Sequence, residues 1–353
     1  MANCPNKPLS DDHVRGCGCG CDAVGTVPTS EHRIAGVTRM LVAVDGSPAA
    51  AAAARWAACE AAMRDVDLTI VHVLQSAPGV WLQTGWPAIP GPTEVREHQL
   101  AQGDKILETT LEVIAKTIGP RRPRRVTAKL CVGAVAPILS SFTHKESDMI
   151  AVGRRGKGGI HRSLLGSVSS SVLRAAHCPV AVVHHHLAPA RPTGSPVVVG
   201  IDGSAASERA AAIAFDEASR RAVHLVAVHA IAGPETPHAQ ELLTRSLAGL
   251  QYRYPDVGVR RVVASAHPAD ALLAESQHAQ LLVVGTRGRS GLTGRLRGSV
   301  GAAVVQACRT PVIVVPGHDI PDTCGSPQAA GECQAMVSER RLVSRHSRRS
   351  IAK

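Results

Sequence analysis

The sequence predicts two tandem α/β domains, each a doubly wound five-stranded parallel sheet, and three observations carry that prediction. The chain has 353 residues, and at about 150 residues per domain such a length fits two. Apolar, strand-like runs alternate with helical segments, and they do so twice over. The chain also repeats itself: Met40–Ser47 reads MLVAVDGS and Val197–Ser204 reads VVVGIDGS, the kind of internal similarity that sets the architecture.

The elements follow in the same order in both halves. Each half opens with an apolar run ending in Asp-Gly-Ser, the pattern of a buried parallel strand that turns into a helix. Ser47 and Ser204 stand where helix caps are needed, and Pro48 suits a first helical turn. The alanine-rich segments PAAAAAARWAACEAAMR and AASERAAAIAFDEASRR are helical by propensity. Leu68–Leu74 and Val223–His229 read as second strands, and Glu94–Ile118 is a long helix whose counterpart near Glu235–Leu250 is shorter. Val126–Cys131 and Val257–Ala264 are third strands, followed by helices around Pro137–His144 and Pro268–His278. Met149–Val152 and Leu281–Val284 are fourth strands, and Pro179–Val183 and Pro311–Val315 are fifth strands. The first half is longer, mostly through Ser76–Thr93, which holds Trp81 and Trp86. That segment reads as a loop over the carboxyl end of the sheet, where ligands of such folds bind.

Composition narrows the function. Aromatic residues are 2% of the chain, so the cores are built from Ala, Val, Leu and Ile, and stacking platforms for single-stranded nucleic acid are disfavoured. No apolar run approaches the ~20 residues of a membrane span, and the N-terminus shows no secretory pattern; a cytoplasmic protein with no membrane partner is expected. The net charge of +11 suits an anionic partner or plain solubility. Of the ten cysteines, Cys59, Cys131, Cys178 and Cys308 lie in patterned segments and read as small hydrophobes. Cys17, Cys19 and Cys21 lack the spacing of a structural zinc site, and no metal is assigned to them. Two basic segments, Arg121–Arg125 (RRPRR) and Arg340–Arg349 (RRLVSRHSRR), raise nucleic-acid binding as an alternative. Their plainer reading, a solvated loop and a disordered tail, is preferred.

The chemistry lies after the fourth strands. Gly153–Val168 reads GRRGKGGIHRSLLGSV and Gly285–Val300 reads GTRGRSGLTGRLRGSV, both of the form G-x2-G-x9-G-S. Glycines let backbone N–H groups approach anionic oxygens. The Gly-Ser pair then opens a helix, Ser167–Ala176 or Ser299–Ala307, whose N-terminus favours negative charge. Arg154, Arg155, Lys157, Arg287 and Arg289 add positive charge. Gly156-Lys157 is followed by Gly158, so this is not a Walker A loop, and the first strand lacks G-x-G-x-x-G.

With these motifs in view, the stretch from Val37 to Gly317 resembles the universal stress protein family, tandem ATP-binding type. The match rests on V-x-V-D-G-S, the Val-His pairs Val71-His72 and Val228-His229, the glycine loops and the closing P-V-x-V-V strands. The resemblance implies a Rossmann-like, adenine nucleotide alpha hydrolase-like fold with strand order 3-2-1-4-5. It also implies ATP, with or without Mg, at the carboxyl ends of strands one and four. The implied first site is Ala43, Asp45, Gly153, Arg154, Arg155, Gly156, Gly166, Ser167 and Val168. The second is Gly200, Asp202, Gly285, Thr286, Arg287, Gly288, Gly298, Ser299 and Val300. Asp45 and Asp202 match the family's acid near base and ribose; from turn statistics alone, an Asx-turn role stays open beside it.

The expected organisation is a Cys/Gly-rich disordered tail over 1–36, a first domain over 37–186, a linker over 187–195, a second domain over 196–317 and a basic disordered tail over 318–353. Short apolar fifth strands at sheet edges imply a homodimer or an intrachain pseudo-dimer. No catalytic residue is assigned, because His161 in the first loop faces Thr293 in the second. The expected function is a nucleotide-dependent stress-response regulator with slow or no hydrolysis, acting on a regulatory protein partner. A true ATPase or phosphotransferase is the alternative.

Overall fold

The computed structural model describes residues 37–75, 92–142, 148–154, 165–185, 194–231, 233, 236–286, 300–317 and 339–341. The first half runs β1 (Arg39–Ala43), α1 (Pro48–Arg64), β2 (Asp67–Leu74), α2 (Pro92–Thr117), β3 (Val126–Val132), α3 (Val135–Phe142), β4 (Asp148–Gly153), α4 (Ser167–Ala175) and β5 (Val180–Val183). The second runs β6 (Val197–Gly200), α5 (Ala205–Arg220), β7 (Leu225–Ala230), α6 (Pro237–Arg253), β8 (Val259–Ala264), α7 (Pro268–Ser276), β9 (Leu281–Gly285), α8 (Val300–Ala307) and β10 (Val312–Val315). β11 (Glu339–Arg341) follows, inside the segment read from sequence as a disordered tail.

Within each half the strand order is 3-2-1-4-5, and the strands are parallel. The two sheets are not separate, however. β5 and β10 pair antiparallel, with Val312 opposite Val182 and Val314 opposite Val180. They are four-residue strands, VAVV and VIVV, buried along their whole length. Such apolar edges close by pairing, and here each half closes the other within one chain. The result is one eleven-stranded sheet, β11-β3-β2-β1-β4-β5-β10-β9-β6-β7-β8.

One continuous core lies under α1, α2, α5 and α6, and a second lies under α3, α4, α7 and α8. The four patterned cysteines are buried and unbridged. Alanine-rich α1 and α5 can lie close on the sheet because their facing side chains are small.

A buried cluster of charges joins these two helices across the seam. Arg64 Nη1 reaches Asp216 Oδ2 at 2.6 Å, and Arg64 also pairs with Glu217. Arg221 pairs with Glu60 and, at 2.5 Å, with Glu217 Oε2. Arg220 pairs with Asp216 at 2.9 Å. Glu60-Arg64 and Glu217-Arg221 are the same i, i+4 pair, repeated at the spacing that separates Asp45 from Asp202. The visible signal in the sequence is a Glu-x3-Arg at the C-terminal end of each alanine-rich helix.

Candidate functional site

The strand order reverses between β1 and β4, and again between β6 and β9. A doubly wound sheet opens a crevice at such a point, outside the carboxyl ends of the strands. Ala43 pairs in register with Val152, so the ends of β1 and β4 are side by side.

The turn leaving β1 is built by three consecutive residues. Asp45 Oδ1 accepts a hydrogen bond from the Ser47 N–H at 2.9 Å. Gly46 adopts φ +74°, a left-handed conformation that disfavours side chains. Ser47 Oγ accepts from the Ala50 N–H and caps α1. The second half repeats this: Asp202 Oδ1 accepts from the N–H (3.0 Å) and hydroxyl (2.5 Å) of Ser204, Gly203 has φ +78°, and Ser204 caps α5. The Asx-turn role of both aspartates is therefore real, and it engages Oδ1 in each.

A histidine on the neighbouring strand holds each turn from below. His72 Nδ1 lies 2.6 Å from the Val44 carbonyl, and His229 Nδ1 lies 2.8 Å from the Ile201 carbonyl. A carbonyl only accepts, so Nδ1 carries the proton in both. The sequence showed the Val-His pairs as a family feature, but their task of fixing the strand-one exit needed the fold.

The other wall is the end of β4. A Cβ on Gly153 would lie 2.6 Å from the Ala49 backbone carbon, and one on Gly285 would lie 2.7 Å from that of Ala206. These glycines exist so that the first turn of α1 or α5 can rest directly on the strand end. Their spacing in sequence suggests phosphate approach, but helix packing is the first demand on them. Gly200 likewise makes room for Leu272, whose Cδ1 would be 3.2 Å from a Cβ there, whereas Ala43 packs its methyl against the core.

α4 returns to this wall. The Gly166 N–H donates to the Arg154 carbonyl at 3.1 Å, and Ser169 Oγ donates to the Gly153 carbonyl at 2.7 Å. Gly166 is the N-cap of α4, and no side chain caps that terminus. In contrast, α1, α5, α6 and α7 are capped by Ser47, Ser204, Thr236 and His267. First-turn amides of a helix lack intrahelical partners, so α4 alone among these presents them without a side-chain acceptor. Ser167 is exposed at its start and Val168 half-buried. In the second half, Thr286 continues β9, its N–H donating to the Val315 carbonyl at 2.8 Å. Thr286 Cγ2 would lie 3.2 Å from a Cβ on Gly301, which places the first turn of α8, with Val300, beside it.

Ala43, Asp45, Gly153, Gly166, Ser167 and Val168 thus converge, as do Gly200, Asp202, Gly285, Thr286 and Val300. Arg154 also reaches beyond the crevice. Its backbone belongs to the site, but its guanidinium donates to the Gln306 carbonyl in the last turn of α8, across the seam. The C-terminal end of a helix attracts a cation, and the antiparallel joint brings that end to the first half's crevice. Arg155, Gly156, Arg287, Gly288, Gly298 and Ser299 lie outside the described residues, as do Trp81, Trp86 and Cys17, Cys19 and Cys21. Among the described residues, no group of three or more His, Cys, Asp or Glu stands together as a metal site, and no helix is long and apolar enough to cross a membrane.

Comparison with known proteins agrees with this architecture. The profile of the Universal stress protein family matches residues 36–184 and 195–316. Universal stress protein Rv2005c of Mycobacterium tuberculosis is 43% identical over 288 residues, covering 78% of this chain and 96% of that protein. Universal stress protein Rv2623 of the same organism is 43% identical over 289 residues, covering 78% and 95%. The crystal structure of a universal stress protein from Archaeoglobus fulgidus superposes with a TM-score of 0.58 at 19% identity, covering 80% of this chain and 99% of that one; it shares the fold.

Proposed function

The chain belongs to the universal stress protein family, with two family domains in tandem, and from that premise we propose that it is a stress-response regulator that binds ATP in both halves and turns it over slowly or not at all. The observation that carries the reading is α4: its N-terminus sits at the switch point, opens on a glycine and has no side-chain cap. A helix terminus of that kind suits phosphate. The phosphate oxygens would take the first-turn amides of Ser167 and Val168, while Asp45, a carboxylate and so repelled by phosphate, would face the sugar and base. Val300 and its neighbours would do the same in the second half, opposite Asp202. The reading as a regulator rests on the lack of a duplicated base in the two loops, where His161 is matched by Thr293.

The test is a thermal shift with ATP. At 100 times Kd each occupied site adds about 2.7 kcal/mol, so ATP should raise the unfolding temperature of the wild type. It should not do so in the variant carrying Gly156→Ala and Gly288→Ala. A wild type that ignores ATP would remove the reading, and steady-state ADP release at ~10 s⁻¹ or faster, a typical enzyme turnover, would replace the regulator with an ATPase.

A further inference from the structure

The two basic segments are more than two hundred residues apart in sequence, yet the fold brings them to one edge. β11 runs antiparallel to β3, with Arg340 opposite Ala128 and Arg341 opposite Thr127. β3 begins at Val126, directly after Arg121–Arg125. The backbone at Arg341 is therefore within about 10 Å of Arg125, given strand spacing and rise. Arg121, Arg122, Arg124 and Arg125 are all exposed. Arg124 Nε donates to Asp67 Oδ1 at 2.8 Å; Arg121, Arg122 and Arg125 have no ion pair among the described residues. Asp67 pairs with Arg124 and Asp65 lies near it, while the register sets the backbone of Arg340 and Arg341 beside the start of β3.

Among the described residues the second half has nothing equivalent. Its α6–β8 connection, Tyr254–Gly258, reads YPDVG and contains an aspartate but no arginine. No strand lies outside β8 among the described residues. Arg260 and Arg261, on β8 itself, are engaged with Glu275 and Gln251. The patch is thus an addition to one repeat and no consequence of the shared fold.

We propose that the β3–β11 edge of the first half binds the phosphate backbone of double-stranded nucleic acid, without reading its sequence. Every cation in the two segments as described is arginine, whose planar fork matches phosphate oxygens in pairs. Among the described residues no exposed aromatic side chain accompanies them, so the patch offers single strands no stacking platform. The patch lies at the amino end of β3, opposite the first half's crevice, so the two sites do not compete. This inference is independent of the nucleotide reading.

The experiment uses the full chain and a fluorescein-labelled duplex of about 30 base pairs, followed by anisotropy from 50 to 200 mM salt, conditions under which phosphate contacts are resolved. The wild type should bind, and log K should fall against log salt with a slope of about −3 to −5. A scrambled duplex of equal length should bind equally. Arg121→Gln with Arg122→Gln and Arg125→Gln should flatten the slope by about 2 to 3, and Arg340→Gln with Arg341→Gln by about 2. Each set should weaken binding about tenfold or more at 100 mM salt. Unchanged unfolding midpoints would show that each variant is folded. Absence of binding at the lowest salt would overturn the proposal. So would wild-type affinity in either variant set, or binding to phosphatidylglycerol vesicles with none to the duplex.

Discussion

In the first half the turn at Gly46-Ser47 borders a groove of about 380 Å3 between α1 and α2, lined by Ala50, Gln102, Lys105, Ile106 and Thr109. In the second half α6 closes on the equivalent turn, and Leu242 Cδ1 would be 3.4 Å from a Cβ on Gly203. β3 is mostly buried and carries β11, while β8 is half-exposed at the open end of the sheet. Yet the turns themselves, the histidines beneath them, the glycines at the strand ends and the Glu-x3-Arg pairs coincide in both. The repeats have kept the residues that hold backbone in place at the crevice and the seam. They have diverged in what surrounds them: the helix after strand two, the outer edge, and Arg154 against Thr286.

The charge cluster offers the severest challenge to that symmetry. Arg64→Ala would leave Asp216 with Arg220 alone and Glu217 with Arg221 alone, both carboxylates still buried, and should cost about 3–5 kcal/mol in chemical denaturation. Arg221→Ala should cost about as much, and a clear inequality would show that the seam is not a true pseudo-dyad. The carboxylates already differ. Burial pushes Glu60 up to about 7, with Arg221 pulling down and Glu217 pushing up. Its Oε2 is 3.8 Å from Arg64 Nε and has no hydrogen-bond partner. Burial also opposes ionisation of Glu217, but Arg221 and Arg64 outweigh it and hold it below its usual value. Between pH 4.5 and about 7 the folded chain keeps a proton on Glu60 that the unfolded chain releases. Glu60 therefore makes stability fall as pH rises through that window. Glu217 acts in the opposite sense, its contribution fading as pH drops below the usual glutamate range. Stability measured against pH should lose the first slope in Glu60→Gln.

Next in size are the strand-end glycines. Gly153→Ala and Gly285→Ala each force a methyl onto helix backbone and should cost about 2–3 kcal/mol, equally in the two halves. His72→Phe should cost about 2 kcal/mol and His229→Phe about 1, since each leaves a carbonyl unpaired but only His72 is buried. Equal losses would mean that burial does not set the difference. Smallest is Arg154→Met, at about 0.5–1 kcal/mol for a cation at a helix C-terminus. Hydrogen exchange in the last turn of α8 should rise in that variant and stay unchanged in Thr286→Val.

Much of this was legible before the fold. The Asp-Gly-Ser turns, the caps at Ser47 and Ser204 and the buried cysteines rest on contacts within a few residues or on periodicity. Gly153 and Gly285 were recognisable as special, but phosphate approach and helix packing demand glycine alike, and only the position of Ala49 and Ala206 separates them. Arg154 looked like a loop cation because its partner, Gln306, is distant in sequence. Arg340 and Arg341 looked like part of a tail because a three-residue strand has no pattern of its own.

The sequence by itself determined two repeats, their element order, their turns and the glycine-rich loops, since those follow from local sterics, hydrogen bonding and the period of apolar residues. Only the tertiary structure decided that the halves share one sheet, that five charged side chains are buried where α1 meets α5, that Arg154 reaches α8 of the other half, and that two arginine clusters meet at one edge. Each of those depends on which strand edges find one another, and an edge pairs through backbone N–H and C=O groups left open after the local structure has formed, reinforced between β5 and β10 by apolar side chains.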